Sequence, residues 1–208
     1  MLNLEALERA EMAKQPFPYF AASDVLDDGA LDAISKDFPA IDKPGIFPLA
    51  DLRYGDTFAR LIEEIRGREL EALLEAKFGL KLADKPLMVT VRGHCQKKDG
   101  RIHTDSKDKV VTCLLYLNDK SWNADGGRLR LLREGHDLES TIVEVPPHGG
   151  NFVAFQRSDN SWHGHAPFEG PRRYVMFNWV TSEATLAKNL GRHRLSALFK
   201  RMRGSYGY

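Results

Sequence analysis

At Pro86 the apolar residues of this 208-residue chain change period, and that change limits the possible folds more than any other feature. Before it, apolar positions recur every three to four residues, the mark of helices with one buried stripe. Leu4, Leu7, Ala10 and Met12 lie between charges over 2–14, and Pro16 and Pro18 end that pattern. Asp27 and Asp28 precede Leu31, Ile34 and Phe38, and Pro39 stops a second helix. A longer helix is predicted from Thr57 to Lys77, with Leu61, Ile62, Ile65, Leu70, Leu73 and Leu74 buried and Gly79 as its C-terminal stop. After Pro86 the apolar runs are short and β-branched or aromatic: Leu87 to Val91, Val110 to Leu117, Leu129 to Leu132, Thr141 to Val145, Asn151 to Phe155 and Tyr174 to Val180. Turn signals at Asp125-Gly126-Gly127, Pro146 to Gly150 and Gly164 to Pro171 separate them, and strands at this spacing predict a sandwich or barrel. From Ala184 to Arg203, Leu186, Leu190, Leu195, Leu198 and Met202 return to helical spacing. The expected class is α+β, mainly β with flanking helices. One domain is expected, with a helical support region over 1–85, a β core over 86–181, and a C-terminal helix and basic tail over 182–208.

Charge and cysteine content narrow the function. Thirty Lys and Arg against 29 Asp and Glu leave a net charge of +1, so nucleic acid and anionic membranes are not default partners. Cys95 and Cys113 are too few for a disulfide framework or a four-thiolate zinc site. No segment approaches the roughly 20 apolar residues that span a bilayer. With a charged start, MLNLEALERAEMAKQ, this predicts a soluble protein in a reducing, cytoplasmic setting.

The chemistry-bearing string is Gly100-Arg101-Ile102-His103-Thr104-Asp105. On a strand, His103 and Asp105 project to one face with Cα atoms about 6.6 Å apart, within chelating reach. An imidazole and a carboxylate suit ferrous iron, and a second histidine would complete a facial triad with open coordination positions. Ser161-Trp162-His163-Gly164-His165 offers that histidine twice. Further on, Arg172 and Arg173 open the apolar strand Tyr174-Val175-Met176-Phe177-Asn178-Trp179, where a buried guanidinium needs an anionic partner. Its planar fork matches a carboxylate, so a small dicarboxylate bound by metal at one end is implied. A zinc site from His94, Cys95 and His103 lacks a suitably spaced fourth ligand.

These motifs, in order, resemble the iron(II)/2-oxoglutarate-dependent dioxygenases, and among them the prolyl-4-hydroxylase-like branch. The resemblance rests on His103-x-Asp105, Val111 to Asn118, Trp122 to Gly127 leading into Arg128 to Leu131, Ser161-Trp162-His163, and Arg173-Tyr174 with Trp179 six positions after the arginine. It covers residues 86 to 181, and more loosely Phe17 to Ala40. It implies a double-stranded β-helix, the jelly-roll or cupin-like barrel, with iron(II) ligated by His103, Asp105 and His163. By the same resemblance Arg173 pairs with the distal carboxylate of 2-oxoglutarate and Tyr116 also contacts it. His163 is preferred to His165 by its distance to Arg173, and Arg173 to Arg172 by the count to Trp179. His165, Trp179 and His94 are further candidates for the pocket wall.

The implied reaction couples oxidative decarboxylation of 2-oxoglutarate by O2, giving succinate and CO2, to hydroxylation of a C–H bond, with ascorbate as a supporting reductant. With Asp105 present no position is left for a halide. The primary substrate is expected to be a prolyl or other residue in a protein, with a small molecule or sugar-linked metabolite as the alternative and a non-catalytic metal-binding barrel as the third reading.

Overall fold

The computed structural model describes residues 1–203. The N-terminal third is helical for the local reasons its sequence suggests. Helix α1 (Leu4–Arg9) is capped by Asn3, whose side chain accepts from the Ala6 amide at 3.1 Å, and α2 (Asp28–Asp37) by Asp27, which accepts from Ala30 at 2.6 Å. The continuous helix expected from Thr57 to Lys77 is instead two, α3 (Asp56–Ile65) and α4 (Arg68–Phe78). Leu70 comes five positions after Ile65, about 140° around an unbroken helix, so one straight rod could not turn both apolar stripes to the same surface. Gly67, extended at φ −67° and ψ 150°, breaks the rod and starts α4, and Gly79 ends it in the left-handed conformation.

Two antiparallel sheets follow. The larger has the order β1 (Tyr19–Ala22), β7 (Phe152–Gln156), β4 (Lys109–Tyr116), β9 (Gly170–Val180), β3 (Leu87–Cys95), β2 (Phe47–Pro48). The smaller has the order β6 (Thr141–Val145), β5 (Leu129–Leu132), β8 (His163–Gly164). The protein is therefore of the expected α+β class, with mostly antiparallel sheets, and its helices are as extensive as its strands.

Strand periodicity divides the larger sheet into two unlike faces. Val111, Cys113 and Leu115 of β4 and Val175, Phe177 and Trp179 of β9 join Phe20, Ile34, Phe58, Leu61, Ile65 and Leu74 in a core shared with the helices. Leu114, Tyr116, Tyr174 and Met176 point the other way and pack with Leu129, Leu131, Val145 and Phe155, which joins the two sheets. Helix α5 (Glu183–Arg203) packs along β2, β3 and β9, and Arg194 forms a two-pronged contact with Asp51 (Nε–Oδ2 2.9 Å, Nη2–Oδ1 2.9 Å). The basic tail expected over 182–208 is helical to Arg203, and 204–208 lie outside the described residues. Cys95 and Cys113 are free and buried. No helix among the described residues is long and apolar enough to cross a membrane.

Candidate metal centre and anion pocket

A cavity of about 670 Å³ lies on the inner face of the larger sheet, and His103, Asp105 and His163 share it. One donor atom from each lies within 4.8 Å of the others. The HxD sequence is not on a strand as expected; His103 forms an isolated antiparallel bridge with His163, each amide donating to the other's carbonyl at 3.0 Å. That bridge brings together residues sixty positions apart. His103 Nδ1 lies 2.8 Å from the Arg101 carbonyl and His163 Nδ1 3.0 Å from the Ser161 carbonyl. A carbonyl only accepts, so both Nδ1 atoms carry the proton and both Nε2 atoms keep a lone pair for a metal. Asp105 Oδ1 accepts from Lys109 Nζ at 2.8 Å, and Oδ2 from Thr112 Oγ1 at 2.5 Å, whose oxygen in turn accepts from Asn178 Nδ2 at 2.7 Å. Burial opposes the charge on Asp105, but Lys109, His163 and the Thr112 hydrogen bond outweigh it and hold the carboxyl well below the usual range. Burial, opposed by Asp105, pushes His163 down to about 4, which leaves its imidazole neutral at pH 7. Two imidazoles that turn Nε2 toward the cavity and one ionised carboxylate fit a divalent iron.

The two arginines are exchanged relative to expectation. Arg172, 2% exposed, lines the cavity, donating from Nε to the Gly127 carbonyl at 2.7 Å and from Nη2 to the Tyr116 hydroxyl at 3.0 Å. Arg173 lies on the helix side of β9, over the Phe38 ring at 5.3 Å and 3.4 Å from Ser35 Oγ. Trp179, the landmark used to choose Arg173, has the same parity and is itself in the helix-facing core, so counting from it selects the wrong face. A better signal was present: Arg172, Tyr174 and Asn178 alternate with the apolar Val175, Phe177 and Trp179.

The remaining candidates divide. Tyr116 is fully buried beneath the cavity wall and reaches it through Arg172; burial first, eased by Arg172, pushes its phenol up to about 12. His165 does line the cavity, with its Nδ1 2.8 Å from the Ala166 carbonyl, but stands outside the donor cluster. Its ring fills the space beside Gly100, whose φ of +81° and missing side chain let the segment after β8 that carries His165 approach. Neither Trp179 nor His94 is in the wall; His94 follows an irregularity in β3 and bridges to Pro44. Absent from the sequence-based set are Arg92, Lys109, Thr112 and Tyr174, and, from α5, Asn189, Arg192 and His193. The α5 residues were legible as a polar i, i+3, i+4 series between leucines.

Residues 90–181 match the family model described as the 2OG-Fe(II) oxygenase superfamily. With the donor triad and the buried arginine inside that segment, the match and the geometry point to the same chemistry. Residues 90–181 are similar to a 2OG-Fe(II) oxygenase domain. Such an oxygenase is a 2-oxoglutarate-dependent dioxygenase, and its family uses iron(II) and 2-oxoglutarate. The solved structures agree on the fold. A prolyl-4-hydroxylase from Pseudomonas putida is 18% identical with a TM-score of 0.53, over 78% of this chain and 92% of that one. A prolyl 4-hydroxylase from Phytophthora capsici is 19% identical with a TM-score of 0.52, over 89% and 68%. HygX from Streptomyces hygroscopicus, with iron bound, is 15% identical with a TM-score of 0.52, over 79% and 82%. No curated protein matches the chain in sequence.

Proposed function

We propose that the protein hydroxylates a C–H bond of its primary substrate, with iron(II) held by His103, Asp105 and His163 and 2-oxoglutarate held by Arg172. When bound, iron and 2-oxoglutarate supply the oxidising chemistry, in which O2 and the cosubstrate yield succinate, CO2 and a hydroxylated product. Arg172 carries the reading. Its guanidinium is buried, lines the same cavity as the donor triad, and has hydrogen bonds only to neutral acceptors among the described residues. A buried charge without a counter-ion costs several kcal/mol, and a carboxylate entering the cavity offsets that cost with a two-pronged contact.

The other residues position and exclude. Tyr116 receives one Arg172 N–H and so aims the fork, acting as a positioning residue. Lys109, Thr112 and Asn178 fix the Asp105 carboxylate, a constraint that in metal sites is typically worth 10- to 100-fold in affinity or activity. Leu114, Leu129, Met88 and Met176 line the wall and keep water from the reacting centre. The two sheets are read as the jelly-roll of the oxygenases, supported by the helices of 1–85 in one domain. Likeness to the two prolyl hydroxylases makes a prolyl residue in a protein one candidate substrate, and a small molecule is the other.

Purified protein incubated with iron(II), ascorbate and labelled 2-oxoglutarate is expected to release CO2 and succinate in equal amounts, including slow uncoupled turnover without substrate. Protein with iron bound stoichiometrically that releases neither, and does not bind 2-oxoglutarate by calorimetry, would overturn the reading.

A further inference from the structure

The cavity has a second pole that neither the metal centre nor Arg172 uses. Helix α5 turns Asn189, Arg192 and His193, at i, i+3 and i+4, toward it, and all three line the same space as the donor triad. Asn189 is 6% exposed, and its Nδ2 has no hydrogen-bond partner among the described residues, so a buried donor pair faces the cavity unused. Arg192 stands at the exposed rim without an ion pair among the described residues. Of the cavity's other cations, Lys109 is committed to Asp105 and Arg92 to Asp99 at 2.5 Å. Asp105 is the sole carboxylate among the lining residues. With Lys109 and Arg92 paired, Arg172 and Arg192 are the lining cations without a carboxylate partner among the described residues. The excess is felt at His193, where burial first and then Lys109, Arg192 and Arg92 push the imidazole down to about 4.

Size matters as much as charge. A volume of about 670 Å³ lies within the range of small-molecule sites, roughly 300–1,000 Å³, and leaves room for a second small molecule beside 2-oxoglutarate. Helix α5 lies along β2 and β3, and the Arg194–Asp51 contact ties it there, so the helix forms one wall of the cavity.

We propose that α5 is the substrate-recognition element, and that Arg192 and Asn189 bind the carboxylate or phosphate of a small anionic primary substrate enclosed in the cavity. The inference rests on the oxygenase reading and supplies its substrate class. Arg192 provides the charge and Asn189 an amide donor to the same anion, which sets the substrate's far end against α5 and turns its reacting carbon toward the donor triad.

The test uses the full chain holding iron(II) and 2-oxoglutarate without oxygen, followed by calorimetry. Three probe sets are titrated: amino-acid carboxylates with their methyl amides, phosphate monoesters with the parent alcohols, and an end-blocked proline-containing decapeptide. An anionic member is expected to bind at least about tenfold tighter than its neutral counterpart, and the first two sets tell carboxylate from phosphate. Arg192→Gln is expected to abolish that preference and Arg192→Lys to keep part of it. No preference in either set, a preference that survives Arg192→Gln, or tighter binding of the blocked peptide would each overturn the proposal. A parallel fall in 2-oxoglutarate affinity in Arg192→Gln would also overturn it, by placing Arg192 at the cosubstrate. Failure of 2-oxoglutarate to bind the iron-loaded wild type would instead be failure of the underlying oxygenase reading.

Discussion

The two faces of strand β9 are one residue apart in sequence and differ in almost everything else. Arg173, Val175, Phe177 and Trp179 face the helices; Phe177 and Trp179 pack ring against ring at 6.0 Å, and Phe177 meets Phe152 at 6.1 Å. Arg172, Tyr174, Met176 and Asn178 face the second sheet and the cavity, where buried polar groups are held by hydrogen bonds across strands. The first face stabilises by removing apolar area from water. The second gives up part of that gain to keep a charge and donor atoms aimed at a void. Substitutions on the two faces should therefore separate function from stability.

The largest separation is expected at the metal centre. His163→Ala should abolish stoichiometric iron(II) binding and turnover, while His165→Ala, two residues on but outside the donor cluster, should retain iron. Metal analysis after desalting checks both, and iron kept in His163→Ala with loss in His165→Ala would reassign the ligand.

On the helix-facing side, Phe177→Ala should cost about 3–5 kcal/mol of unfolding free energy, the usual range for a fully buried phenylalanine. Denaturant titration measures it. A cost below about 1 kcal/mol would mean that this face is less tightly packed than its burial suggests.

The paired arginines test the division most directly. Arg172→Ala should weaken 2-oxoglutarate binding by about one to two orders of magnitude, equivalent to about 1.4–2.8 kcal/mol, whereas Arg173→Ala should change it less than about twofold. Arg172→Lys, which keeps charge but loses the planar fork, should fall between. Titration of the cosubstrate into iron-loaded protein gives the comparison, and equal affinities for Arg172→Ala and wild type would remove the cosubstrate from this face.

The smallest effect concerns pH. Burial, followed by the neighbouring Arg172, lowers the His165 pKa from 6.5 to about 4 in the folded protein. The unfolded chain then binds the proton more readily between those values, so stability rises with pH across the window and is lost as pH falls from about 6.5 toward 4. At pH 5.5 the contribution is about 1 kcal/mol, and His165→Gln should flatten that part of the stability curve in metal-free protein by a similar amount. An unchanged slope in His165→Gln would show that His165 titrates normally.

Much of this molecule is legible in its chain order. Pro86 marks the passage from helices to strands, and the runs at Leu129 to Leu132 and Thr141 to Val145 are the observed β5 and β6. His103, Asp105 and His163 stand out because few residue types bind iron and their motifs follow in order. These features are local: a period, a turn residue and a donor type are properties of a few neighbouring positions. Which arginine enters the cavity was not decided locally, because Arg172 and Arg173 differ only in the face that the pairing of β9 with β4, Tyr116 opposite Tyr174, turns inward. The break at Gly67 answers to a sheet surface that two apolar stripes must share. The placement of Asn189, Arg192 and His193 over the cavity depends on where α5 docks, and the contacts that dock it, with β2 and with Asp51, come from residues more than a hundred positions away.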